Sequence, residues 1–120
     1  MVWYQTTFNK YRAKSTIYNN IVYASKLEAS YARELDLRLK AKDIKSWKRQ
    51  VPIELKVNGE KICKYYVDFE IIHNDGSKEL IETKGFETEV YRLKRKLLEA
   101  TLLKRKKNLK YTVVKDTTSW

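Results

Sequence analysis

Residues 65–85 constrain the fold more tightly than any other stretch of this chain. Tyr65-Tyr66-Val67-Asp68-Phe69-Glu70-Ile71-Ile72 is rich in aromatic and β-branched residues and predicts a strand. Leu80-Ile81-Glu82-Thr83-Lys84 predicts the next one, and Asn74-Asp75-Gly76 supplies the turn between them. The turn decides which side chains meet. A two-residue loop at Asp75-Gly76 would set Asp68 opposite Thr83 and send Glu82 to the other side of the sheet. A three-residue loop, with Gly76 in the left-handed conformation, pairs His73 with Ser77 and Asp68 with Glu82, and puts Lys84 on the same face. Local sequence permits both registers. The second is chosen because two acids facing each other repel, and they become tolerable around a cation.

A third acid joins this pair. Residues 25–42 are rich in Ala, Leu, Glu, Lys and Arg and predict a helix. Counting from Glu28, positions three, four, seven and eleven along are Tyr31, Ala32, Leu35 and Leu39, so Glu28 falls on the apolar stripe. Ser25-Lys26-Leu27-Glu28 also matches a capping box, in which Glu28 satisfies a backbone N–H. Capping and metal binding can coexist in one carboxylate.

Around this core the remaining elements follow. Residues 16–23 around Asn19-Asn20 predict a short hairpin, because Asn tolerates positive φ. Residues 51–57, 61–73 and 77–84 predict a three-stranded meander, its first turn at Asn58-Gly59 and its middle strand carrying Asp68. Pro52 belongs at the start or edge of the first of these. Gly85 is expected to let the chain turn close to the acids. Thr88 caps a helix expected from Glu89 to about Lys106 with Val90, Leu93, Leu97 and Ala100 as its apolar stripe, and residues 111–114 give a last strand beside the meander. The fold class is α/β with a mixed central sheet, formed as one domain over residues 1–120.

Charge narrows the partners. Against 26 Lys and Arg stand 15 Asp and Glu, a formal charge of +11, which draws polyanions and nucleic acid above all. Lys10, Arg12 and Lys14, interleaved with Tyr11, predict a basic arm within residues 1–14. Arg92, Lys94, Arg95 and Lys96 are expected to contact phosphates from the second helix. Lys104-Arg105-Lys106-Lys107 is explained equally by complementing the helix dipole and by binding. A single cysteine, Cys63, excludes an intramolecular disulfide and a Cys-rich zinc site, and a single histidine, His73, gives no support to a triad or a histidine-based metal site. With neither a signal-peptide core nor a span-length apolar run, a soluble, intracellular protein is expected.

Glu28 on a first helix, Asp68 on a strand and Glu82-x-Lys84 on the following strand resemble the PD-(D/E)XK nuclease superfamily. More closely, Tyr18-Asn19-Asn20-Ile21-Val22-Tyr23-Ala24-Ser25-Lys26-Leu27-Glu28-Ala29, then Trp47-Lys48-Arg49-Gln50 and Lys84-Gly85, resemble a group of small phage and prophage proteins assigned to that superfamily and described as candidate Holliday-junction resolvases. The likeness runs over roughly residues 10–107, and Val67 stands where the namesake motif has Pro. It implies a restriction-endonuclease-like core and a Mg²⁺- or Mn²⁺-dependent DNA endonuclease acting on branched DNA as a homodimer, in the host cytoplasm if phage-encoded. Asp68 and Glu82 are then the metal ligands, with the Thr83 carbonyl a further ligand and Glu28 completing the shell or holding a second ion through water, and Gln50, just ahead of the first strand of the meander, is an accessory residue. Lys84 orients the attacking water or offsets charge. An unperturbed lysine titrates at about 10.4 and is a poor base at neutral pH. The competing expectations are a non-catalytic nucleic-acid-binding recombination accessory protein, a nicking or sequence-specific nuclease of the same fold, and an RNA nuclease.

Overall fold

The computed structural model describes residues 15–115. The basic arm expected at residues 1–14, with Lys10, Arg12 and Lys14, lies outside them. A hairpin of β1 (Thr16–Tyr18) and β2 (Ile21–Tyr23) turns through Asn19 and Asn20, both at positive φ. It leads into α1 (Lys26–Lys40), whose N-cap Ser25 accepts the Glu28 N–H at 3.1 Å. Asp36 on α1 then gathers the neighbouring elements, accepting the Tyr18 hydroxyl at 2.6 Å and the Trp47 indole N–H at 3.1 Å.

β3 (Ser46–Val57), β4 (Glu60–Ile72) and β5 (Lys78–Lys84) form the expected antiparallel meander. α2 (Glu89–Leu98) crosses over and continues as a π-helical turn (Glu99–Leu103), and β6 (Leu109–Lys115) returns parallel to β5, giving the order β3-β4-β5-β6. The fold is thus mixed α/β with a mixed four-stranded sheet. Leu80 and Ile81, adjacent on β5, face opposite ways into two cores. Phe69, Ile71 and Ile81 meet Ala29, Ala32 and Leu35 of α1, while Leu55, Tyr65, Val67 and Leu80 meet Tyr91 and Leu98 of α2. No described helix is long and apolar enough to cross a membrane.

The tight turns follow local chemistry. Gly76 sits at φ +88°, its N–H bonds the His73 carbonyl, and the His73 N–H bonds the Ser77 carbonyl, so the loop has three residues. Asp75 fixes it by accepting the Ser77 N–H and hydroxyl at 2.9 and 2.6 Å. Asn58 and Gly59, both at positive φ, make the two-residue turn between β3 and β4.

Several expectations are corrected. Gln50 lies inside β3, because the strand begins at Ser46 rather than Val51. Of the stripe drawn on α2, Leu97 packs partly buried against the core, but Val90 and Leu93 are 63% and 61% exposed and Ala100 is exposed, and Tyr91 and Leu98 are the buried residues. The apolar count favoured Val90 and Leu93, but the buried face is built on a tyrosine whose hydroxyl has partners within the protein. Leu39, near the end of α1, is exposed. Gly85 needs no glycine conformation, since it does not occupy the left-handed region and an added Cβ meets open space.

Glycine chemistry therefore matters at one of these two positions and not at the other. Gly76→Ala should lower the unfolding free energy by about 1 kcal/mol through the cost of positive φ, whereas Gly85→Ala should stay within about 0.5 kcal/mol of wild type. Urea denaturation of both variants checks this, and equal effects would contradict it.

Candidate active site

The β4–β5 ladder ends at Phe69↔Ile81. One step further along the same register, Asp68 stands opposite Glu82, at the fork where β5 continues only with β6 and β4 only with β3. At the fork the Asp68 carboxylate replaces the lost ladder bond. Its Oδ2 accepts the Thr83 backbone N–H at 2.8 Å and the Thr83 hydroxyl at 2.7 Å. This is the register expected from the three-residue turn.

The strand pair also changes face here. Val67 and Phe69 would share one side of a regular strand, yet Val67 belongs to the α2 core and Phe69 to the α1 core. Across the ladder Trp47 packs on the α1 side, and Val51 and Ile53 on the α2 side. Between them lies Gln50 at φ +51°, a conformation that costs a non-glycine residue about 1–2 kcal/mol. Such an irregularity re-aims a side chain. The Gln50 amide donates to Glu28 Oε2 at 3.1 Å and reaches Asp68 Oδ1 at 3.5 Å, so it bridges α1 and β4.

Glu28 and Glu82 are each only 4% exposed. Burial first, and then the charge of Asp68, pushes the Glu28 carboxyl above its ordinary range. The same two causes push Glu82 up to about 7, against the opposing pull of Tyr65 and Lys84. Both acids therefore feel Asp68, one from α1 and one from β5. Glu28 also takes a backbone hydrogen bond at Ala24, one residue ahead of the Ser25 N–H that the capping box predicts. Lys84 Nζ lies 3.4 Å from Glu82 Oε2 and 4.4 Å from the centre of the Tyr91 ring.

Two buried acids beside a third, Asp68, whose Oδ1 meets a long contact from Gln50 among the described residues, make a donor set that suits a hard divalent cation. Among the described residues no three acidic, His or Cys side chains are drawn into a ready-made cluster. Mg²⁺ needs one or two carboxylates and keeps several waters, so a carboxylate pair such as Asp68 and Glu82 would be enough to anchor one.

Of the other expected residues, Thr83 acts here through its N–H and hydroxyl, both on Asp68. On α2, Arg92 and Lys96 are exposed, while Lys94 donates to the Lys64 carbonyl at 3.0 Å and Arg95 reaches Glu87 at 3.4 Å. These two are already engaged within the protein, and so is Arg92, whose guanidinium donates to the Glu87 carbonyl at 3.3 Å. Sequence reasoning missed Tyr65, Tyr91 and Tyr111. A signal existed, because a tyrosine at an apolar position needs a partner for its hydroxyl, and this chain has nine tyrosines against three phenylalanines.

The raised Glu82 carboxyl has a consequence for stability. A native group titrating at about 7, against 4.5 for an ordinary glutamate, contributes stability that is full below pH 4.5 and is lost as pH rises through 7, on the order of 3 kcal/mol in total. Glu82→Gln removes that loss. In EDTA it should raise the Tm by about 5 °C or more at pH 8, with the gain shrinking towards zero near pH 4. A gain independent of pH would contradict the assignment.

A family model described as "Protein of unknown function (DUF1064)" matches residues 8–118. No curated protein and no solved structure matches the chain. By that match, which spans nearly its whole length, the chain belongs to the DUF1064 family.

Proposed function

We propose that this protein is a divalent-metal-dependent endodeoxyribonuclease with a restriction-endonuclease-like core, hydrolysing phosphodiester bonds in branched DNA. The observation that carries the reading is the arrangement around Asp68. An acid from α1 and an acid from β5 both respond to its charge, and a lysine stands beside the second of them. Asp68 and Glu82 would hold Mg²⁺ or Mn²⁺, with the Thr83 carbonyl and Glu28 completing the shell. When bound, the ion supplies an activated water and neutralises charge on the phosphoryl oxygens.

The protein's own groups do the rest. Thr83 fixes Asp68 through two donors on one oxygen, leaving the other turned towards Gln50. Gln50 keeps Glu28 and Asp68 at a set separation while offering its amide protons to both. Lys84, held between Glu82 and the face of Tyr91, presents a positive charge where the phosphodiester gains negative charge. That electrostatic role suits an ammonium better than proton abstraction does. The exposed Arg92 and Lys96 of α2, within a chain of net charge +11, suit contact with phosphates. Preference for a branched substrate follows the likeness to junction resolvases, and two symmetric cuts in such a substrate call for a homodimer.

Labelled four-way junction, duplex and single strands, each incubated with Mg²⁺ or EDTA, test the proposal. Wild type should cut only with the metal. Asp68→Ala and Lys84→Ala should each lose about 100-fold or more in rate while binding DNA as before in EDTA. DNA binding without any metal-dependent cleavage would favour the accessory role, and faster cutting of RNA would redirect the substrate.

A further inference from the structure

Three tyrosines from three different elements form a line of hydroxyls that ends on Glu82. Tyr65 of β4 donates to Glu82 Oε1 at 2.8 Å. Its oxygen lies 3.0 Å from the hydroxyl of Tyr111 on β6, which lies 2.7 Å from that of Tyr91 on α2. A phenol has one proton to give. Because that of Tyr65 goes to Glu82, Tyr111 must donate to Tyr65, and Tyr91 to Tyr111. All three protons therefore point the same way, towards one carboxylate oxygen, and aligned hydrogen bonds strengthen one another.

Tyr91 closes the arrangement from its other side. Its ring carries the Lys84 ammonium at 4.4 Å and the Arg95 guanidinium at 5.6 Å. The residue that begins the hydroxyl chain to Glu82 Oε1 is thus the residue that seats Lys84 next to Glu82 Oε2. Mere filling of the α2 core would be served by phenylalanine, without the cost of taking hydroxyls out of water. The tyrosines instead leave Glu82 with one oxygen committed and the other beside the lysine.

We infer that Tyr65, Tyr111 and Tyr91 are positioning residues that turn Glu82 so that Oε2, next to Lys84, is the oxygen offered to a divalent cation. The inference rests on the metal-binding reading above, and names residues that act through Glu82 without touching the cation. It gives α2, which carries the exposed basic side chains, a physical link to the metal ligand on β5.

Calorimetric titration of the full chain with MnCl₂ separates the possibilities. Tyr65→Phe should weaken Mn²⁺ binding about tenfold or more, as loss of a partner behind a ligand does elsewhere. Tyr111→Phe, which contacts neither Glu82 nor Lys84 directly, should weaken it in the same direction by less. DNA affinity measured in EDTA should not change in either, whereas a general loosening of the fold would move both. Should Tyr65→Phe fail to fold, Tyr111→Phe decides alone. Wild-type Mn²⁺ affinity in the folded phenylalanine variants would overturn this inference by itself. Absence of Mn²⁺ binding in wild type, or unchanged binding in Glu82→Gln, would instead overturn the metal reading and this inference with it.

Discussion

Glu28 and Glu82 are almost wholly out of solvent, and each holds its proton more tightly because it is buried and because Asp68 carries charge nearby. An isolated buried carboxylate is costly, and two of them around a third are tolerated only where donors or cations answer them. Here each acid has its own answer. Thr83 serves Asp68, Gln50 serves Glu28, and Tyr65 with Lys84 serves Glu82. The donors come from β3, β4 and β5, so the sheet is tied together at its most repulsive point.

The scaffold explains how these groups meet. A continuous β4–β5 ladder would bond the Thr83 N–H across the sheet and leave Asp68 no backbone donor, but the ladder stops after Phe69↔Ile81 and the strands part. On the other flank Gln50 takes a left-handed conformation, and the hairpin passes from the α1 core to the α2 core at the same step. A left-handed residue and the end of the β4–β5 ladder coincide with the acids; a second irregularity, a register shift between Leu55 and Lys56, lies further along β3. Backbone irregularity of this kind survives when surrounding contacts over-determine it. Here the Glu28–Gln50 bond and the Phe69 contacts with Tyr23, Tyr31 and Trp47 do so.

What the sequence made legible was whatever local chemistry controls. Asn74-Asp75-Gly76 limited the turn to two choices, and the turn sets whether Asp68 meets Glu82. Ser25 and Thr88 marked both helix starts through capping side chains. Helical spacing from Glu28 to Leu35 found the buried face of α1. Long-range contacts were not legible. Val90 and Leu93 satisfied the helical count on α2, yet the sheet is met by Tyr91 and Leu98, and only the neighbouring strands could have revealed that preference. Gln50 read as a residue ahead of its strand because no pattern announces a left-handed residue within one. The tyrosine line joins residues 46 positions apart in the chain, beyond any local rule.

The central claim is that Asp68 and Glu82 share a cation. Anomalous diffraction from a crystal grown with Mn²⁺ tests it most directly. A shared ion gives a peak roughly 2.1 Å from an oxygen of each carboxylate, with remaining positions filled chiefly by water. Density without such a peak at the fork between β4 and β5, or a peak held by other acids while Asp68 and Glu82 keep only their protein partners, would contradict it.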